Sequence, residues 1–214
     1  MHIRYKLRPT FLDRQEDDFM RVQTDEDLMT AFEILCGKKE PEKITAMEVA
    51  KRAGVTRSTF YNHFADMPTL IETYEDQILD GIFDILSEYG DMGKNGIQFT
   101  RKFFSTLCRY VRNSNYLIRR FRKLTTVRFI EKALIRFHGY VESMLSRQAS
   151  TPAEQQVSSY IQAYAIGGLV GILHKWASED CADAPEAVAF VLTRIYMTGI
   201  SMFELYILIK WVYF

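Results

Sequence analysis

Cysteine is scarce in this sequence, and its placement excludes two common protein classes. Among 214 residues there are three cysteines, Cys36, Cys108 and Cys181, and they lie far apart in the chain. An odd number without metal-ligand spacing argues against a disulfide framework and against a zinc site, and favours a reducing compartment. No apolar run follows the basic start of the chain, so a secretory signal peptide is not expected. The sequence therefore predicts a cytoplasmic protein without a bound metal.

Long apolar segments and catalytic motifs are also missing. The most apolar stretch, Ile195 to Ile209, contains Glu204 and is shorter than the roughly 20 apolar residues that cross a bilayer, so no membrane span is predicted. The sequence has no Gly-rich phosphate loop and no spacing that pairs a nucleophile with a base. A lone histidine such as His138 is more typical of a helix face than of a metal centre. Neither an enzyme nor a cofactor is therefore expected.

Charge is balanced overall but uneven along the chain. The 27 Lys and Arg residues equal the 27 Asp and Glu residues, so the net charge gives no indication of a nucleic-acid partner. Between Thr24 and Asp80 there are six basic and twelve acidic residues, whereas between Arg101 and Arg136 there are eleven basic residues and one acidic residue. The cluster Arg119 to Lys123 has three interpretations: solvated helix faces, docking on the acidic segment, or binding of an anionic ligand or partner. All three remain open from the sequence alone.

What the sequence does contain is helical periodicity. Apolar residues recur at spacings of three and four and strand patterns are sparse, which predicts an all-α protein. Thr24, followed by three acidic residues, is expected to cap the first helix, which runs to about Gly37. A long helix is expected from Met67 to Tyr89, followed by a loop at Gly90 to Gly96. Later helices are expected over about 98–113, 127–147, 153–178 and 185–212.

The most informative stretch, Ile44 to Leu70, predicts two short helices joined by a tight turn and the start of a third. Thr45 and Glu48 have the spacing of a capping box that begins the first of them. Gly54 ends that helix, where the backbone requires a positive φ. Thr56 can cap the second helix.

The second short helix has one apolar side and one polar side. Phe60 and Phe64 lie one turn apart and can be buried together. The other side carries hydroxyl, amide, imidazole and guanidinium groups, from Arg57, Ser58, Thr59, Tyr61, Asn62 and His63. Such a helix fits the major groove of DNA, where these groups can bond to base edges and phosphates. The pattern therefore predicts a helix-turn-helix motif.

These residues resemble the DNA-binding domain of TetR/AcrR-family transcriptional regulators. The resemblance rests on Ala53-Gly54-Val55-Thr56 and on the signature Tyr61-Asn62-His63-Phe64, and it extends from about Asp25 to Ile78. The apolar stripe of the family's first helix corresponds here to Leu28, Ala31, Phe32 and Leu35. One departure is Met67, where the family usually has a Lys that contacts a DNA phosphate.

Roles for individual residues follow from motif position and chemistry. Four side chains are expected to face base edges: Arg57, Ser58, Thr59 and Asn62. Tyr61 and His63 are expected to hold phosphates, as the family's Tyr and His do, and packing against the third helix is the alternative for His63. Thr45 and Thr56 can offer their hydroxyl groups to phosphate. These eight residues form the predicted DNA-binding site.

The resemblance also implies a helix-turn-helix domain at residues 24–70 and a ligand-sensing and dimerisation domain at residues 71–214. Residues 1–23 would form an extension that is partly ordered, a basic arm for the minor groove, or a short packed helix. Six aromatic residues of the second domain could line an apolar ligand pocket, with plain core packing as the alternative. They are Phe103, Phe104, Phe137, Tyr160, Tyr164 and Trp176.

The last two predicted helices, about 153–178 and 185–212, are too apolar for a monomer surface, which predicts a subunit interface. The spacing Gly167-x-x-x-Gly171 would let a second helix approach closely. In the family, the corresponding helices pair with their symmetry mates. The order Gly-Gly-Leu, Lys-Trp, Pro-Glu resembles a subtype that includes regulators of dihydroxyacetone kinase operons. The expected function is a homodimeric repressor that binds a pseudo-palindromic operator and is released by a small-molecule effector; control by a partner protein is the alternative.

Overall fold

A computed structural model describes residues 11–88, 92–123, 127–145 and 152–198 of the chain. Within these ranges every regular element is a helix, which confirms the all-α prediction. The chain divides into two compact units, Met1–Tyr74 and Glu75–Phe214. Among the described residues, no helix combines the length and the apolar character needed to cross a bilayer.

Three helices and the start of a fourth build the N-terminal unit. They are α1 (Phe11–Cys36), α2 (Ala46–Ala53), α3 (Arg57–His63) and the first residues of α4 (Met67–Glu88), with a short 3-10 helix, Pro41–Lys43, before α2. Helices α1, α2 and α3 pack against one another. Fully buried side chains come from all four helices: Leu28, Phe32, Val49, Phe60 and Leu70. The apolar spacing seen in the sequence thus corresponds to the buried side of each helix.

Helix α1 begins at Phe11, well before the predicted start at Thr24. The Thr24 hydroxyl donates to the Met20 carbonyl oxygen at 2.9 Å inside the helix, so the prediction that Thr24 is a cap is wrong. Residues 11–23 contain neither Gly nor Pro and include several strong helix formers, which lets the helix continue through them. The first ten residues of the predicted extension lie outside the described residues.

The C-terminal unit contains the rest of α4 and five further helices in the described ranges. They are α5 (Met92–Asn113), α6 (Asn115–Lys123), α7 (Val127–Leu145), α8 (Pro152–Ser178) and α9 (185–198). Helix α6 packs against α5 and α8, and α7 packs against α8. The predicted end of the helix at residue 113 is confirmed, and the Ser114 hydroxyl accepts a bond from the Leu117 N–H at 3.2 Å at the start of α6.

The loop predicted at Gly90 to Gly96 is wrong from residue 92 onward, because α5 begins at Met92; residues 89–91 lie outside the described ranges. Gly93 and Gly96 therefore lie in the first turns of a helix. The low helix propensity of glycine is a weak signal, and here the rest of a 22-residue helix overrides it. Residues 199–214 of the last predicted helix lie outside the described ranges.

A polar cluster is buried in the C-terminal unit. The Tyr116 hydroxyl of α6 donates to the carboxylate of Glu75 in α4, and both side chains are buried. The Arg120 guanidinium lies 4.8 Å from the centroid of the Tyr116 ring and 4.0 Å from the Glu75 carboxylate. Burial raises the pKa of Tyr116 far above its usual range, so the hydroxyl remains a donor at any physiological pH. The cluster joins α6 to α4.

Several basic side chains of the segment Arg101 to Arg136 form ion pairs within this unit. Ion pairs join its side chains to carboxylates of other elements: Arg109 to Glu186, Arg122 to Asp180, Lys132 to Asp76, and Arg136 to Asp80. Arg122 also donates to the Ala177 carbonyl oxygen at 3.2 Å. Within the cluster Arg119 to Lys123, Arg120 and Arg122 therefore have structural partners, which favours an internal role for these two residues.

The left-handed backbone of Gly54 generates a stability prediction. Gly54 has φ +75°, and a Cβ built there would meet no atom within 4 Å, so only backbone strain opposes a side chain. We expect Gly54→Ala to lower the free energy of unfolding by about 1 kcal/mol, and Gly54→Asn to lower it less, because Asn tolerates this conformation better. Urea denaturation followed by circular dichroism measures both.

Gly139 in α7 supplies the matched control, since it is also surrounded by open space but has ordinary helical geometry. Gly139→Ala should raise the free energy of unfolding by up to about 1 kcal/mol through helix propensity. Stabilisation by Gly54→Ala would contradict the role of the turn.

Candidate nucleic-acid interface

Helix α2 begins at the predicted capping box. The Glu48 carboxylate accepts bonds from the Thr45 N–H at 3.0 Å and from the Thr45 hydroxyl at 2.9 Å, while the Glu48 N–H donates to the Thr45 oxygen at 3.4 Å. Lys39 also donates to Glu48. The bond from Lys39, with those from Thr45, lowers the pKa of Glu48 to about 2. Thr45 is exposed but engaged in this cap, and α2 ends at Gly54, which confirms both local predictions.

Helix α3 begins at Thr56, as its sequence predicts. The Thr59 N–H donates to the Thr56 hydroxyl at 3.0 Å, and the two hydroxyl oxygens are 2.8 Å apart. Thr59 is half-buried and its hydroxyl is held against Thr56. A hydrogen bond from the Thr59 hydroxyl to a base would therefore compete with its contact to Thr56. The Thr56 side chain is exposed at the turn.

One side of α3 is open to solvent, and the other is buried. Phe60 and Phe64 are buried with ring centroids 6.0 Å apart. The exposed side chains are Arg57, Ser58, Tyr61 and Asn62. The Arg57 guanidinium lies 5.4 Å from the centroid of the Tyr61 ring, close enough for a cation–π contact, and 3.5 Å from its hydroxyl. The polar side of this short helix is thus presented to solvent with two of its side chains already in contact.

His63 is mostly buried and is not among these exposed side chains. Its Nδ1 lies 2.7 Å from a carboxylate oxygen of Asp25 in α1, and the side chains of His63 and Asp25 are 13% and 33% exposed. Asp25 could not be identified from the sequence, because 38 residues separate it from His63 and no local pattern links the two. The predicted alternative for His63 was packing against the third helix of the Ile44 to Leu70 stretch, which is α4. The observed contact is with α1 instead.

A second residue missed from the sequence is Asp66. Its carboxylate accepts from the Thr69 N–H at 2.8 Å and from the Thr69 hydroxyl at 2.7 Å, so it caps the start of α4. These bonds lower the pKa of Asp66. The spacing Asp-x-x-Thr before Leu70 was the signal that could have identified this cap. Met67, where the family usually has Lys, is half-buried.

The predicted pocket residues lie in different surroundings. Phe103 and Phe104 of α5 are buried with ring centroids 5.2 Å apart, and Phe104 also meets Tyr196 of α9 at 4.8 Å. Trp176 of α8 is buried and donates its Nε1–H to the Asp183 carbonyl oxygen at 3.1 Å. Each of these contacts also suits an ordinary core.

The other pocket residues are on α7 and α8. Tyr160 and Tyr164 of α8 are 69% and 75% exposed in the single chain. The side chain of Phe137 lies outside the described residues. The ligand pocket therefore stays a prediction.

The geometry of α2, the Gly54 turn and α3 defines a class of protein. Two short capped helices joined by a left-handed glycine, the second with its polar side exposed, form a helix-turn-helix unit of the kind that binds DNA. Residues 33–73 match the family model described as bacterial regulatory proteins, tetR family. This stretch, which contains α2, the Gly54 turn and α3, is thus similar to that family of transcriptional regulators.

The chain is also similar to a curated protein described as a helix-turn-helix regulator. The HTH-type transcriptional regulator YxbF of Bacillus subtilis strain 168 is 24% identical over 172 residues, which cover 78% of this chain and 43% of that protein. The chain thus spans less than half the length of this curated relative.

Solved structures of low sequence identity share the fold. A tetR-family transcriptional regulator from Streptomyces coelicolor has a TM-score of 0.64 and 13% identity, covering 86% of this chain and 83% of that chain. The dihydroxyacetone kinase operon activator DhaS has a TM-score of 0.59 and 16% identity, covering 85% of this chain and 98% of that chain.

Proposed function

We propose that the chain is a TetR-family transcriptional regulator that binds a pseudo-palindromic operator as a homodimer and acts as a repressor that a small-molecule effector releases. The observation that carries DNA recognition is the exposed polar side of α3, with Arg57, Ser58, Tyr61 and Asn62 outward over a buried Phe60. Arg57 would bond to a guanine edge, and the Tyr61 ring would hold the guanidinium in place through their cation–π contact. Buried free thiols at all three cysteines accord with action in a reducing cytoplasm.

Selection of duplexes from a random pool tests this function directly. Wild-type chain should recover pseudo-palindromic sites whose half-sites lie about one or more helical turns apart, roughly 34–36 Å per turn. Arg57→Lys should then lose about 1–3 kcal/mol of discrimination between the selected duplex and one of shuffled sequence, because Lys cannot bond to guanine with two parallel donors. Fluorescence anisotropy measures both affinities.

Affinity for the shuffled duplex is the internal control, since Arg57→Lys keeps its charge and should leave this affinity nearly unchanged. An equal loss for both duplexes would assign Arg57 to the phosphates. Recovery of no preferred sequence would exclude an operator-binding function.

The dimer proposal rests on uncovered stripes of α8 and α9. The exposed residues of the α8 stripe recur at helical spacing and are aromatic or glycine: Tyr160, Tyr164, Gly167, Gly168 and Gly171. Large exposed apolar residues on α9 are Phe190, Val191 and Ile195. In the described chain this side of α8 is exposed. A symmetry mate would cover both stripes in the way that isologous interfaces do.

A glycine substitution on this stripe should separate dimerisation from folding. A Cβ at Gly167 would meet no atom of the described residues outside its own helix within 4 Å, so Gly167→Leu should leave the subunit folded. In a dimer it would hold the facing helices apart, and we expect the dissociation constant of the dimer to rise at least about tenfold, or about 1.4 kcal/mol. Analytical ultracentrifugation measures this constant.

Gly139→Leu is the matched control, because Gly139 is also helical and surrounded by open space but lies on α7. It should leave the dissociation constant unchanged. A monomeric wild-type chain, or equal dimerisation of both variants, would contradict the proposed interface.

The regulatory part of the proposal uses α4, which contributes residues to both units. A ligand that favours one arrangement of the C-terminal unit would shift the population of dimers that can bind DNA. The name of the structural relative DhaS contains the word activator, so activation is the alternative to repression. Control by a partner protein is the alternative to a small effector.

Fractionation of a host-cell extract separates these two kinds of control. We expect the fraction that passes an ultrafilter to weaken binding of the selected duplex, because a small molecule would be in it. If the component that weakens duplex binding is retained above the filter and is destroyed by protease, the effector is a partner protein. Footprinting of the selected duplex reports the change, and filtered buffer is the control.

A further inference from the structure

We propose that Asp25 is a positioning residue for DNA binding, which acts by holding the His63 imidazole in one orientation at the end of α3. The inference rests on the proposed function, because it needs a DNA phosphate next to His63. It adds to the recognition surface a residue of α1 that lies 38 positions away in sequence.

The geometry determines which ring nitrogen carries a proton. The Nδ1 atom is 2.7 Å from the Asp25 carboxylate, a distance typical of charge-assisted hydrogen bonds. A carboxylate accepts and does not donate, so Nδ1 carries the proton and donates it. Nε2 is then the atom that remains for a phosphate, and it can donate only when the ring carries both protons. Asp25 and a phosphate would therefore contact opposite nitrogens of the same ring.

Burial makes this orientation firm. The His63 side chain is only 13% exposed, so the ring has little room to rotate away from Asp25. Helix α1 packs against α3, and Leu28, one turn after Asp25, is fully buried. The carboxylate is thus held on a packed helix and not on a loop. A ring that is fixed in advance loses less conformational entropy when it meets a phosphate.

A neighbouring acid allows a sharp comparison. Glu26 is exposed on the same helix, one residue from Asp25. If charge alone mattered, Asp25→Asn and Glu26→Gln would both strengthen DNA binding, since each removes one negative charge. If Asp25 positions His63, the two variants have opposite effects: Asp25→Asn weakens binding and Glu26→Gln does not.

The experiment measures binding of full-length variants to the selected duplex and to a shuffled duplex over a range of salt concentrations. Asp25→Asn should weaken binding to both about five- to tenfold, because phosphate contacts are independent of sequence. The slope of log affinity against log salt should become shallower by about 0.9 for each phosphate that the variant no longer binds. In a His63→Ala background, Asp25→Asn should have no further effect on binding.

Each outcome supports or overturns the proposal. Weakening by Asp25→Asn with an unchanged salt slope would indicate a general structural effect, and strengthening would indicate simple charge removal; both overturn it. If wild-type chain binds no duplex at all, the proposed function fails and the inference fails with it. If wild-type chain binds but the two acid variants behave alike, only the inference fails.

A second measurement does not depend on the stability of the Asp25 variant. NMR proton–nitrogen correlation of the histidine side chains in wild-type chain, with His63 assigned through the disappearance of its signal in His63→Gln, reports which nitrogen carries the proton. We expect a protonated Nδ1. A ring protonated only on Nε2 would break the geometry from which the proposal starts.

Discussion

The burial of Phe60 and Phe64 determines which side chains helix α3 presents to solvent. Helix α3 has only seven residues, far below the length at which an isolated helix is stable in water. Its stability must therefore come from tertiary packing, and fully burying a Phe side chain contributes about 1.5–3 kcal/mol. Because the two rings lie one turn apart on the same side, Ser58 and Asn62 fall on the opposite side, while Tyr61 lies at the flank and Arg57 is the exposed first residue of the helix. The packing of the two rings thus determines which polar groups α3 exposes.

The acidic composition of the first segment has an internal explanation. Many of its carboxylates have specific partners in the folded chain: Asp25 contacts His63, Glu33 accepts from Tyr74, Glu48 closes the α2 cap, Asp66 caps α4, and Glu75, Asp76 and Asp80 meet α6 or α7. A carboxylate that is engaged in a cap or an ion pair adds less to the field around the molecule than a free one. Net charge counted along the sequence therefore says little about the charge at the exposed side of α3.

The features that could be predicted from the sequence are those with local causes. The Thr45–Glu48 cap, the left-handed Gly54 and the Thr56 cap depend on residues at most three positions apart, and each was predicted correctly. The start of α1 was predicted too late. A residue that often caps helices, such as Thr24, need not mark the start of a helix when it lies inside an uninterrupted run of helix formers. The contact of Asp25 with His63 could not be found, because it exists only after α1 has packed against α3.

Helix α8 shows why some sequence features cannot be understood from one chain. Gly167, Gly168 and Gly171 each reduce helix stability by up to about 1 kcal/mol relative to Ala. Apart from their own helix, no atom of the described residues approaches within 4 Å of the position where their Cβ atoms would lie, so packing within that part of the chain does not require glycine there. The glycines lie beside the exposed rings of Tyr160 and Tyr164. The dimer proposed above would account for both features, because glycine lets helix backbones approach closely while the flanking tyrosines supply apolar area.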